Sequence, residues 1–314
     1  GGSLILYAWR ATLMRSSNTF SLLSRESGLL INNILLVAAM LSVFLGTLYP
    51  LLLDSLGLGK ISVGAPYFDA VFVPIMIPAV LVMAVGPFLR WKKDTIKRTG
   101  NLLKIIWASI FLLFIVTLFL TDNIFVLLAT FLFVWIVLHS LMLFIQRYRQ
   151  KGTMSTAFIG MIMAHIGIAV FLLGATVTTQ YGIEKDLKME LNETVDIKGY
   201  QFTFKGVNNF SERNYQGFKG HIEVHYEGGK IVDLKPEKRN YNTGMPMTEA
   251  AIDPSLYRDL YVALGEPLEG SAWSLRIYYK PLIRWIWLGG ILISLGALLA
   301  AFDRRYRLRR NKKK

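Results

Sequence analysis

Charged residues divide this chain into long uncharged stretches instead of alternating with apolar ones. The uncharged runs are Gly28–Leu53, Ala70–Leu89, Ile105–Thr121, Asn123–Gln146, Gly152–Tyr181 and Trp285–Phe302. A helix rising about 1.5 Å per residue needs roughly 17–25 such residues to cross a hydrocarbon layer of about 30 Å. Six transmembrane helices are therefore predicted. Residues 105–146 are too long for one span, and the break at Thr121-Asp122-Asn123 divides them into a tight helical hairpin. A soluble bundle would need polar faces on these segments, and the segments have none. Gly1–Trp9 is apolar but too short to span before Arg10, so the chain is expected to start inside a truncated helix, with part of the protein upstream.

Between the last two runs the pattern changes. Residues 184–280 carry 13 bases and 15 acids, and the hydrophobic period drops to two. Tyr200, Phe202 and Phe204 alternate with Gln201, Thr203 and Lys205. Ile222, Val224 and Tyr226 alternate with His221, Glu223 and His225, which is the pattern of half-buried strands. Gly228-Gly229 supplies a hairpin turn before Ile231-Val232. A strand at Leu260–Leu264 leads through Gly265-Glu266-Pro267 to a second, on which Trp273, Leu275, Ile277 and Tyr279 share one face, and Lys280-Pro281 ends it. The predicted fold class is thus an α-helical polytopic membrane protein, six full spans plus a truncated N-terminal one, with a β-rich domain inserted before the last helix. The expected domains are a helical bundle over 1–181, the β-rich domain over 182–280, a final helix over 281–302 and a basic tail over 303–314.

Charge orients this arrangement. Outside 182–280, 20 of 22 Lys and Arg residues lie on alternate loops, 10–27, 90–104, 147–151 and 303–314; Lys60 and Arg284 are the exceptions. Bases flanking spans are retained on the cytoplasmic side. The 182–280 domain is therefore expected outside the cytoplasm and the C-terminus within it. The net charge of +14 reads as a topology signal, and with no basic folded domain it does not point to nucleic acid. The chain has no cysteine, which excludes disulfide exchange, a thiolate metal site and covalent haem attachment through its own CxxCH.

Few residues offer chemistry. An ionisable group inside a span is a functional candidate, and two histidines qualify. His165 lies mid-run in Met161-Ile-Met-Ala-His-Ile-Gly-Ile-Ala169, where Gly160, Ala164 and Gly167 recur at i, i+4, i+7. Such a small-residue stripe admits a flat cofactor or another helix. The imidazole is then either an axial haem ligand or a buried group bonded to a neighbouring helix, and residue physics alone favours the second. His139 has bulky Leu and Phe neighbours and is expected to be structural. His221, Glu223 and His225 share one strand face at metal-ligand spacing, although that face is the solvated one. Ser24 and Ser27 read as a helix cap, with Glu26 placed for the helix dipole. Pro74, Pro78 and Pro87 imply kinks in their helix.

Taken together, several segments resemble CcmF, the large membrane subunit of the bacterial cytochrome c haem lyase, almost end to end. They are Gly1–Leu4, Ser24–Ser27 with Asn32-Asn33, Leu45-Gly-Thr-Leu-Tyr-Pro50, Gly64-Ala-Pro-Tyr-Phe68, Gly86-Pro87, Met163-Ala-His-Ile-Gly167, Thr248–Asp253, Asp259–Glu266 and Trp273–Gly289. The resemblance implies an inner-membrane protein with a periplasmic 182–280 domain. It implies attachment of haem from a haem chaperone to the reduced CxxCH of an apocytochrome c, with a thiol-reducing lyase subunit as partner. It also implies a b-type haem held by two intramembrane histidines, with quinol as a possible reductant, and His165 matches the second of those histidines. In that family the Trp-rich haem-binding motif, its flanking histidines and the first intramembrane ligand would lie upstream of residue 1, so the chain by itself is expected to be inactive. The competing reading is a non-catalytic scaffold of a haem-handling complex. A transporter would show an internal repeat, and none is visible.

Overall fold

A computed structural model describes residues 2–10, 21–119, 121–241, 244 and 246–303. Every predicted run forms a helix. Following α1 (Gly2–Arg10) come α2 (Arg25–Ser55), α3 (Ala65–Val85), α4 (Ile96–Leu118), α5 (Ile124–Arg149), α6 (Thr156–Tyr181) and, after the β domain, α7 (Ile283–Ala301). Among the described residues five helices are long and apolar enough to cross a membrane, against six predicted; the apolar part of α4, Leu103–Leu118, is shorter than a full span. Helix α4 starts nine residues before its uncharged run, because Lys97, Arg98 and Lys104 are good helix formers. The basic tail beyond Asp303 and loop residues 11–20 lie outside the described residues.

The chain divides into two compact units, Gly1–Val116 with Val134–Ser155, and Thr117–Phe133 with Thr156–Lys314. In the first, Ser24 caps α2 as expected, its Oγ accepting from the Ser27 N–H at 3.2 Å. Glu26 does more than face the dipole: its carboxylate accepts the Lys92 N–H at 2.8 and 2.9 Å, tying α2 to the loop after α3. Pro74 and Pro78 lie inside α3, and Pro87 sits in a 3₁₀ turn, Gly86–Phe88, that follows it.

The second unit holds the β domain, a sandwich of two antiparallel sheets. One has four strands in the order β1 (Ile183–Met189), β10 (Trp273–Pro281), β9 (Arg258–Pro267), β8 (Ala251–Pro254). The other runs β2 (Thr194–Ile197), β3 (Tyr200–Ser211), β4 (Tyr215–Tyr226), β6 (Glu237–Tyr241), β7 (Met247–Glu249), with β5 (Gly229–Leu234) pairing β4. Its core is the alternation read from sequence: Phe202, Phe204, Ile222, Val224, Leu260, Val262, Leu275 and Ile277 are fully buried. Two turns differ from expectation. The β4–β5 loop is Glu227-Gly228, both at positive φ, which suits a two-residue hairpin. Gly265-Glu266-Pro267 stays within β9, and the turn comes after it.

The domain is fixed to its helices at both ends. Thr178 Oγ donates to the Pro281 carbonyl at 2.7 Å, joining the end of α6 to the end of β10. At Gly182 a Cβ would collide with the Thr178 carbonyl oxygen, so only glycine lets α6 pass directly into β1.

Candidate functional site

His165 sits half-buried at the middle of α6, the helix that packs against α7. The contact is made through glycines. Gly160 and Ala164 meet Gly296, Gly167 meets Gly289 and Ile293, and Gly174 meets Trp285. A Cβ on Gly167 would lie 2.8 Å from the Gly289 carbonyl oxygen, and one on Gly296 2.5 Å from that of Gly160. The small-residue stripe is thus filled by a helix and not by a cofactor. At about 100° per residue, Gly160 lies roughly 140° and Gly167 roughly 160° around α6 from His165. The stripe is consequently not beside the imidazole, as the sequence suggested; it fixes the opposite face. Among the described residues the His165 ring has no hydrogen-bond partner.

His139, on α5, is only 1% exposed. Its Nδ1 lies 2.7 Å from the Trp135 carbonyl oxygen, and its ring packs against Trp135 at 4.1 Å and edge-on to Phe88 at 5.7 Å. Nε2 is buried with no partner among the described residues. Enclosed by aromatic rings, this imidazole has no open side for a planar macrocycle.

The strand-face cluster differs from its sequence form. His221, Glu223 and Asp233 bring ligand atoms within 4.8 Å of one another, so the third member is Asp233 of β5 and not His225. A register shift between Val224 and His225 interrupts the β4–β5 ladder at this point. The position a cation would take is served by Lys230, which donates to Glu223 Oε1 at 3.1 Å and Asp233 Oδ1 at 2.8 Å. Lys230 holds both carboxyls below their usual range. Zinc would have to displace this ammonium, so calorimetric titration with Zn²⁺ at neutral pH is expected to show no saturable binding to this face; stoichiometric heat would contradict it.

A cleft of about 500 Å³ opens where the β domain meets the helices of its own unit, lined by Thr117, Thr121, Thr130, Tyr181, Lys198 and Tyr279, among others. The Thr121 and Tyr181 hydroxyls are hydrogen-bonded to each other there. Asn123 Nδ2 donates to Gln180 Oε1 at 2.8 Å alongside. The sequence did not reveal this cleft, because its hydroxyls come from five separate segments: α4, the loop after it, α5, α6 and β10.

Comparison with known proteins places this architecture. Residues 180–281 match the family described as "CcmF C-terminal beta-sandwich". The "Cytochrome c-type biogenesis protein CcmF" of Pseudomonas aeruginosa is 46% identical over 98% of the chain, and that of Escherichia coli K12 is 44% identical over 98%; the match covers 48% of each relative. The chain belongs to the CcmF family. It spans about half the length of these relatives. "Cytochrome c-type biogenesis protein ccl1" of Rhodobacter capsulatus is 35% identical over 98% of the chain and 48% of its own length. A solved structure, "Cytochrome c Heme Lyase CcmF", shares the fold with a TM-score of 0.77 at 24% identity, covering 90% of this chain and 46% of that one.

Two of the segments that carried the CcmF resemblance meet in space. Tyr67, from Gly64-Ala-Pro-Tyr-Phe68, donates its hydroxyl to the Ser42 carbonyl at 3.1 Å. Its ring fills the space at Gly46, where a Cβ would lie 2.6 Å from it. Gly46 and Tyr67 are thus a packing pair joining α2 to the start of α3. The Thr248–Asp253 and Asp259–Glu266 segments meet as well, through β8 and β9.

Proposed function

We propose that this CcmF-family chain is the part of a cytochrome c haem lyase in which His165 is an axial ligand of a b-type haem. The observation that carries the reading is the similarity to CcmF relatives along 98% of the chain; the state of His165 supports it locally. The residues present fit half of a bis-histidine site. His165 has no hydrogen-bond partner among the described residues, sits in apolar surroundings and lies on the side of α6 opposite α7. When bound, haem supplies a one-electron iron couple whose potential is set by its ligands and by burial. The chain's own contribution is positional. The glycine contact with α7 fixes the rotation of α6, and with it the direction in which the imidazole is presented. His139 has no such freedom, and the second axial ligand is assigned outside these 314 residues.

In this proposal the basic loops and the C-terminus are cytoplasmic in a bacterial inner membrane, and the sandwich is periplasmic, where apocytochrome c and the haem chaperone meet the complex. The basic residues on alternate loops support that orientation. Thiols for reducing the apocytochrome CxxCH come from a partner subunit, since this chain holds no cysteine. Quinol is the proposed electron source.

Absorption spectroscopy of the purified full-length protein tests the ligand. His165→Ala is expected to abolish the reduced b-type bands and most bound haem, while His139→Ala keeps the bands. Retention of full haem content by His165→Ala would remove the assignment.

A further inference from the structure

The loop between β8 and β9, Ser255-Leu256-Tyr257, presents two large side chains outward: Leu256 is 70% and Tyr257 73% exposed. Exposed leucine alone is ordinary. What distinguishes this pair is where the backbone holds it. The Leu282 N–H, at the start of α7, donates to the Tyr257 carbonyl at 3.0 Å. One turn on, the Trp285 indole Nε1–H donates to the Leu256 carbonyl at 3.0 Å. The loop is also closed on itself. Asp259 Oδ1 accepts both the Ser255 N–H at 3.2 Å and Arg284 Nε at 3.0 Å, so strand, loop and helix share one carboxylate.

These bonds fix the loop's depth. Helix α7 has 19 residues, a length of about 28 Å that only just matches a hydrocarbon layer of about 30 Å. Its first turn therefore lies at the edge of that layer, and Leu256 and Tyr257 are bonded to that turn. Trp287, 74% exposed, lies in the next part of the helix. Tyrosine and tryptophan concentrate at this level because an apolar ring and a polar tip each find their own solvent there.

We propose that the Leu256–Tyr257 loop is a lipid anchor: the two side chains insert into the interfacial layer of the bilayer beside α7 and hold the β sandwich against the membrane surface. The partner is the boundary of headgroups and acyl chains, with leucine toward the chains and the tyrosine hydroxyl toward the headgroups. The sandwich is then held at three places, through α6–β1, through β10–α7 and through this loop. The inference rests on the membrane reading of α7, and its test separates the two.

The chain contains no cysteine, so single nitroxide labels can be placed cleanly at Leu256→Cys, Tyr257→Cys, Ile291→Cys and Glu269→Cys in the full-length protein in lipid nanodiscs. Ile291 reports on the exposed side of α7, and Glu269 on the turn between β9 and β10 at the far end of the sandwich. Collision rates with oxygen and with a water-soluble nickel chelate give depth. The expected result is an oxygen-to-nickel ratio at 256 and 257 severalfold above that at 269 and approaching that at 291. Nickel access at 256 equal to that at 269 overturns the anchor. Exclusion of both reagents at 256 also overturns it, by showing a protein partner there. A label at 291 that behaves like the one at 269 overturns the membrane placement itself.

Discussion

Gly289→Leu will loosen α6 from α7 and destabilise the protein by about 3 kcal/mol, the upper part of the usual range for overpacking. A Cβ there already falls 2.6 Å from the Phe171 backbone nitrogen and 2.7 Å from the Gly167 carbonyl oxygen. Those are backbone atoms, so no side-chain rotation relieves the clash; the helices must separate. Gly290→Leu is the matched control, since nothing lies within 4 Å of its Cβ position. Thermal unfolding in mild detergent should show a large drop in midpoint for Gly289→Leu and little change for Gly290→Leu. Equal behaviour of the two variants would mean that the helices do not cross at Gly167 and Gly289. Under the proposed haem assignment, Gly289→Leu should also lower haem retention in the full-length protein, because this crossing fixes the rotation of α6 although His165 itself is left intact.

That interface was half legible in the sequence. Gly160 and Gly167 were visible as a small-residue stripe that admits either a flat cofactor or another helix, with the helix favoured, but which helix was not visible. The missing signal was the same seven-residue spacing in α7, Gly289 and Gly296. In an antiparallel pair it sets Gly296 against Gly160 and Gly289 against Gly167. In lipid, where apolar surface gains little from meeting apolar surface, such matched close approaches drive helix association. Two spacings that agree are stronger evidence of a helix pair than one stripe is of a cofactor.

Five of the six predicted runs were legible as helices long and apolar enough to cross a membrane, because exclusion of charge over a span's length has few alternative explanations. Strand faces were legible for a similar reason: Phe202, Phe204, Ile222 and Val224 hold a strict period of two, and all four are buried. Turns were less so. Gly228-Gly229 fixed the hairpin only to within one residue, since Glu227 accepts positive φ beside Gly228. The polar cluster on β4 was least legible. Spacing along one strand pointed to His225, and only the ladder register brings Asp233 opposite Glu223. A strand's partner, not its own sequence, decided that composition.

Loss of the Asp253 carboxylate will be among the most damaging single changes in the sandwich, because of what it leaves behind. Arg258 is 8% exposed, and its guanidinium bonds Asp253 Oδ2 at 2.5 Å, the Asp253 carbonyl at 3.2 Å and the Tyr200 hydroxyl at 3.2 Å, stacking over the Tyr200 ring. Asp253→Ala leaves a buried cation with only neutral acceptors, an effect of about 3 kcal/mol or more when one partner of a buried pair is removed. In the intact protein burial opposes the Arg258 charge and the Tyr200 and Asp253 contacts outweigh it; a guanidinium does not deprotonate in a protein, so in Asp253→Ala the charge remains to be accommodated. The double variant Asp253→Ala, Arg258→Met removes the charge with its partner and should recover most of the lost stability. Thermal midpoints of the two variants decide the matter: if the double variant is as unstable as the single, the cost lies in β8 packing and not in the orphaned guanidinium. Position gives the pair its wider effect. Arg258 opposes Pro281 in the β9–β10 ladder, one residue before the Leu282 N–H that bonds Tyr257. Unseating Arg258 therefore loosens the strand that enters α7, and hydrogen exchange in Asp253→Ala should rise first at 256–260 and 278–282.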